Sequence, residues 1–212
     1  MPQGSRVPPG RAGRMWLHRR IVAAERGRDQ LDRKLRILLP ELQRRRLRAD
    51  RFDREWTAAC AVARTWLLRV VLLGGEEAVA GATAVQPARV EVTWASTMGL
   101  GYPSGAELLA GEPTRSVPSA NAAVVPAAHA HQEALRAGVR AAAAHEAVRR
   151  VEAEIAVTRR RMRALERRWM PWLRQMLAER EAALEQAERE DGVRLRRAVA
   201  AEALRGQRRV QP

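Results

Sequence analysis

Leu17 to Leu73 reads LHRRIVAAERGRDQLDRKLRILLPELQRRRLRADRFDREWTAACAVARTWLLRVVLL, and the fold of the 212-residue chain turns on this stretch. Alternate steps of four and three residues land on Leu17, Ile21, Ala24, Arg28, Leu31, Leu35, Leu38, Leu42, Arg45, Ala49, Phe52, Trp56, Ala59, Ala63, Trp66, Val70 and Leu73, and only Arg28 and Arg45 are polar. A spacing averaging 3.5 residues keeps one narrow stripe of a helix facing one partner, the condition for a coiled coil. At ~1.5 Å per residue such a helix is roughly 85 Å long, a shaft that needs a second long helix to cover its seam.

On the N-terminal side, residues 1–13 hold Pro2, Pro8, Pro9, Gly4, Gly10 and Gly13 and predict an irregular arm, with the first helix over 14–73 and a stop at Gly74-Gly75. Pro40 costs a helix interior about 3 kcal/mol, yet the ladder passes through it in register. One kinked helix is expected, with two helices joined at Pro40 as the alternative. Residues 74–130 are rich in Pro, Gly and Ala and form a small head. Within it Arg89 to Trp94 alternates like a half-buried strand, and the turn-rich Met98 to Gly105 leads toward a second. Helix resumes over 131–205, and 206–212 reads as a disordered tail.

The second seam runs Ala134, Ala137, Ala141, Ala144, Val148, Val151, Ile155, Thr158, Met162, Leu165, Trp169, Trp172 and Met176, after which Leu173, Leu177, Leu184 and Leu195 form a shifted stripe. The expected fold is therefore mainly α, a long antiparallel two-helix coiled coil with a small α+β head. Placing Leu17 near Val193 and Leu73 near Ala137 makes facing residue numbers add to about 210. Trp66 and Val70 then meet Ala144 and Ala141, Pro40 stands level with Pro171, and Trp169 and Trp172 pack on Leu38 and Leu42. The expected shaft core comprises Leu31, Leu38, Trp56, Trp66, Ile155, Met162, Leu165, Trp169, Pro171 and Trp172.

The formal charge is +15, carried as +11 by residues 1–73, −3 by 74–130 and +7 by 131–212, so the basic residues belong to the helical ends. Cys60 stands alone, which excludes an internal disulfide and a cysteine metal site. The apolar run Trp66 to Leu73, interrupted by Arg69, is too short to span a membrane. A cytoplasmic protein is expected. Gly99, Gly101 and Gly105 lack the Lys-Ser/Thr of a phosphate loop. His129 and His131, two apart, diverge on a helix and do not chelate. No catalytic constellation and no cofactor site can be argued from spacing. A basic coiled-coil scaffold for nucleic acid or another polyanion is the alternative function, against which the interleaved Glu and the acidic middle count.

The chain resembles the D subunit of V/A-type ATPases and ATP synthases, the central rotor stalk family. The N-terminal resemblance lies in Pro8, Pro9, Arg11, Leu17, Ala24, Arg26, Gly27, Leu31 and Lys34. The C-terminal one lies in Arg160 to Glu166, Met170-Pro171, Leu173, Glu188 to Glu190 and Arg194-Leu195, and the middle adds Thr97 to Leu100 with Pro103. The resemblance implies a non-catalytic subunit of a rotary ion-translocating complex, carrying torque between the ATP-hydrolysing or ATP-synthesising hexamer and the membrane ring. Its implied partners are the catalytic and regulatory hexamer subunits, a small rotor subunit and a ring-capping subunit. Direct nucleic-acid contact is not implied, and the membrane is reached only through the complex. Arg11, Arg14, Arg26, Gly27, Lys34, Arg44, Arg45, Arg160, Arg161, Arg163, Glu166, Arg167 and Arg194 are the expected partner contacts. Gly27 costs a helix about 1 kcal/mol relative to Ala, so it is either tolerated slack or admits a partner backbone, and the resemblance, which places Gly there, implies the second.

Overall fold

The computed structural model describes residues 7–81, 88–109 and 121–210. In chain order these form α1 (Gly10–Gly81), the hairpin β1 (Arg89–Thr97) and β2 (Leu100–Leu109), α2 (Val124–Ala164), a five-residue π turn over Leu165–Trp169, and α3 (Met170–Val210). The chain divides into two compact units, one joining Met1–Arg33 with Arg159–Pro212, the other Lys34–Thr158. The fold is mainly α with a small hairpin in the middle, as the two seams predict.

Element ends depart from the expected ones for local reasons. α1 starts at Gly10, whose φ of +63° suits a residue entering a helix from Pro8 and Pro9. At the far end Gly75, with φ +64° and ψ −170°, breaks the helix, which then resumes to Gly81. Gly74 is needed beside it because a Cβ there would stand 2.6 Å from Asn121 Nδ2. Asn121 donates to the Val70 carbonyl at 3.3 Å and accepts from the Ala123 N–H at 3.0 Å, tying the end of α1 to the start of α2. α2 begins seven residues before the expected 131, since Pro126 falls in its first turn, where a missing N–H costs nothing. At Pro40 the helical dihedrals hold, so the two-helix alternative is not realised there. The expected tail is helical as far as Val210, as Gly206 alone does not stop a helix. Expectations that rest on 1–6, 82–87, 110–120 and 211–212 lie outside the described residues.

In the unit of Lys34–Thr158, α1 and α2 run antiparallel. Arg46 pairs with Glu152 and Asp53 with His145, so facing numbers add to 198 rather than 210. Trp66 packs with Ala63, Ala130 and Ala134, and Val70 with Ala78, Ala123 and Ala127. Trp56 lies over Gly138, where a Cβ would stand 3.0 Å from the indole nitrogen. Large residues therefore do meet small ones, as interdigitation requires, but with partners other than Ala144 and Ala141. Eleven residues make about three helical turns and return nearly the same face, so the apolar ladder by itself accepts pairings that differ by about that much. Leu35, Leu38, Ala49, Val151, Ile155 and Thr158 are buried here.

The hairpin is closed by Met98 and Gly99, with φ +53° and +77°, the two-residue turn whose twist matches paired strands. β2 thus starts at Leu100, and the turn-rich segment is shorter than expected. Pro103 sits at a bulge opposite Trp94, where a strand tolerates a missing donor. Tyr102 and Ala106 are buried, whereas Val90, Val92 and Trp94 of β1 are exposed, so β1 is not the half-buried strand predicted. A lone hairpin is marginal in water. This one is held by Arg45 of α1 over the Tyr102 ring at 3.8 Å and by Arg150 of α2 over Trp94 at 4.8 Å.

In the unit of Met1–Arg33 and Arg159–Pro212, Arg11 faces Glu188, His18 Glu181 and Glu25 Arg174, so facing numbers add to 199. Its core is Leu17, Ala24, Met170 and Leu173, with Trp16, Ile21, Leu165, Trp169, Met176 and Leu177 packed round it. Leu17 therefore does not reach Val193. Trp169 belongs to this cluster, and Trp172 stacks on it at 5.1 Å, in a register that adds to 199 rather than the expected 210 that set them against Leu38 and Leu42. The Met170 N–H donates to the Leu165 carbonyl, five residues back. Pro171 explains that wide turn: it has no N–H, and in a regular turn its ring would strike the carbonyl of residue 167. One extra residue in the turn moves the seam by one, which is why Met170 and Leu173 are buried and the stripe continues through Leu177.

Candidate partner-binding surfaces

A chain that works by contact shows its sites as charge or apolar surface that its own packing leaves unused. In the unit of Met1–Arg33 and Arg159–Pro212, α1 presents Arg14 and Arg26, and the α2 end with the π turn presents Arg160, Arg161, Arg163, Arg167 and Arg168. All are exposed. Among the described residues none of these seven has a carboxylate within ion-pairing distance. Arg160, Arg161 and Arg163 come before the π turn and Arg167 and Arg168 within it. The run has one exposed acid, Glu166, which adds to the field that raises the Arg28 guanidinium, held chiefly by its bond to Asp29.

Other basic candidates are engaged within the chain. Lys34 donates to Glu154 at 2.6 Å, both side chains 23 % exposed, which makes it a clasp between α1 and α2. Arg44 and Arg45 share Glu41, and the Arg45 guanidinium is further held by Tyr102. Arg11 pairs with Glu188 at 3.0 Å and Arg194 with Asp191 at 3.5 Å, all well exposed. Such exposed pairs are worth ~1 kcal/mol or less and exchange readily for a partner's carboxylates. At Gly27 nothing lies within 4 Å of where a Cβ would stand, so nothing in this chain requires a glycine there.

Of the expected shaft core, Leu38 and Ile155 are buried, and Leu31, Met162, Leu165, Trp66 and Trp169 half-buried. Trp56 and Trp172 are 45 % and 37 % exposed, and Pro171 is exposed. Trp56 lies over Gly138 and Trp172 stacks on Trp169, and a flat ring laid over glycine or another ring keeps one face in water.

The ladder gave no hint of an apolar surface on α1. Val62, Leu68, Leu72 and Leu73 are exposed, with Leu72 at 84 %. A window of α1 within residues 56–75 is long and apolar enough, by length and composition alone, to cross a membrane, and little of it is buried. The apolar character thus extends beyond the run Trp66 to Leu73. The window nevertheless carries Arg64 and Arg69 and buries Ala63 and Val70 in the helix pair. The signal was present, since Val62, Leu68 and Leu72 stand off the four-three ladder. Val90, Val92 and Trp94 add a second apolar row along β1.

Comparison with known proteins bears on what these surfaces serve. The family described as the D subunit of ATP synthase matches residues 15–200. The D subunit of a V-type ATP synthase from Anaeromyxobacter sp. (strain Fw109-5) is 33 % identical over 201 residues, covering 91 % of this chain and 93 % of that one. With a match that runs through both helical segments and the hairpin between them, the chain belongs to the family of ATP synthase D subunits.

Proposed function

We propose that this chain is the central rotor stalk of a V/A-type ATPase or ATP synthase. In this reading it performs no chemistry and carries torque between the nucleotide-processing hexamer and the ion-translocating ring in the membrane. The observation that carries the reading is the run of exposed arginines, Arg160, Arg161, Arg163, Arg167 and Arg168, that have no carboxylate partner among the described residues. Unpaired guanidiniums on paired helices are a surface for a partner's acidic loops, able to form and release contacts as the stalk turns.

The catalytic and regulatory hexamer subunits would take the arginine surface. The small rotor subunit and the ring-capping subunit would take the apolar row of β1 and the exposed leucines of α1, so the chain reaches the cytoplasmic face of the membrane only through them. Two antiparallel helices have no threefold symmetry. A stalk of this kind can therefore hold three chemically identical sites in different states, each favoured by different contacts. Reconstitution tests the reading: the chain mixed with hexamer subunits is expected to form a complex that survives raised salt and to confer rotation-linked ATPase activity. A complex that dissolves with modest salt and binds nucleic acid instead would overturn it.

A further inference from the structure

The hairpin does not lie flat on the helix pair. Between them is a cavity of about 420 Å³, within the range that holds small ligands. Arg45 and Arg48 of α1 and Arg136 and Arg140 of α2 line it, with Ser104 and Glu107 contributed by β2. Two of the four guanidiniums are already committed: Arg45 to Glu41 and Tyr102, Arg136 to Glu133. The other two are not. Arg48 rests over the Phe52 ring at 5.2 Å and has no ion pair among the described residues. Arg140 reaches Glu55 only at 4.0 Å, and that carboxylate is held at 2.8 Å by Arg51.

We propose that this cavity binds a condensed phosphate, either inorganic or at the end of a nucleotide, between Arg48 and Arg140. Guanidinium forks match phosphate oxygens two at a time, and two forks entering from different helices enclose an anion with several oxygens better than one with a single charge. Ser104 lines the hairpin side, its hydroxyl donating to the Thr93 carbonyl at 3.1 Å, and it would have to turn from that carbonyl for the bound anion to bridge the hairpin to both helices. Glu107, also in the lining, sets a limit, disfavouring entry unless two guanidiniums act together. The inference is independent of the rotor reading, because it concerns binding by the chain alone.

Calorimetry on the full chain tests it, with pyrophosphate and ADP as probes at about 0.15 M ionic strength, where charges beyond ~8 Å are screened. One site is expected. R48Q/R140Q should weaken it by about tenfold or more, the loss expected when charged hydrogen bonds are removed, while R64Q, an exposed arginine of α1 that does not line the cavity, leaves it unchanged. ADP binding without pyrophosphate binding assigns the site to a nucleotide, and equal or tighter binding of pyrophosphate assigns it to condensed phosphate as such. R48Q alone, which breaks no ion pair, gives the same direction should the double variant unfold. Absence of heat with both probes, undiminished affinity in R48Q, or an equal loss in R64Q would overturn the proposal.

Discussion

At Gly27 and Gly138 the same residue type answers to opposite surroundings. A Cβ at Gly27 meets nothing within 4 Å, whereas one at Gly138 stands 3.0 Å from Trp56 Nε1. Alanine gains about 1 kcal/mol over glycine in a helix, so G27A is expected to raise the melting temperature of the chain, and G138A to raise it less because the indole must give way. If a partner backbone approaches Gly27 in the assembled complex, G27A will lower coupled turnover while stabilising the chain. Unchanged turnover would make Gly27 mere slack. Glu146 provides a pH-dependent counterpart. Bonds from Arg150 and then Arg149 hold its carboxyl below the usual range, against a smaller opposing effect of burial. A depressed acid stabilises above its unfolded value and loses that contribution as pH falls through the folded one. E146Q should therefore cost ~1 kcal/mol or less at neutral pH, as partly exposed pairs do, and the gap to the parent should close below about pH 4 in acid denaturation.

Among the elements, the two prolines are accommodated differently. Pro40 sits in a run of helical dihedrals, while Pro171 is preceded by the π turn that carries one extra residue. Relative to alanine each proline costs up to ~3 kcal/mol in a regular helix, and the wide turn has already relieved part of that at Pro171. Chemical denaturation should show P40A stabilising the chain more than P171A. A structure of P171A should show whether the turn reverts: with an N–H restored at 171 an ordinary ladder becomes possible, and the buried stripe would have to move from Met170 and Leu173 back toward Trp169 and Trp172. Equal gains from both substitutions would mean that the π turn relieves nothing.

For the molecule at work, the question is whether the unpaired arginines face a partner or only water. R160E/R161E should lower coupled turnover of the reconstituted complex severalfold and leave the melting temperature of the isolated chain within a degree or two, since neither side chain has an ion pair to lose among the described residues and surface changes rarely exceed about 0.5 kcal/mol. Equal turnover in the reversed variant would remove both residues from the contact surface. The comparison needs K34E as its opposite case. There the Lys34 clasp on Glu154 becomes a repulsion between α1 and α2, and stability of the chain should fall first.

Residue spacing is enough to establish that two long segments are helical and narrow-seamed, because a 3.5-residue apolar repeat leaves a helix one face to cover, and that a short hairpin stands between them. The family resemblance was equally legible in runs such as Arg160 to Glu166. Register was not: ladders displaced by about three turns present nearly the same face, and the choice fell to local fits such as Trp56 over Gly138 and Asn121 against Gly74, which exist only once the helices are side by side. Nor could the ladder show that Pro171 would widen the turn before it and hand the seam to its neighbours. The cavity under the hairpin arises from packing alone, since Arg48 and Arg140 are ninety-two positions apart and become one site only when α1, α2 and the hairpin come together.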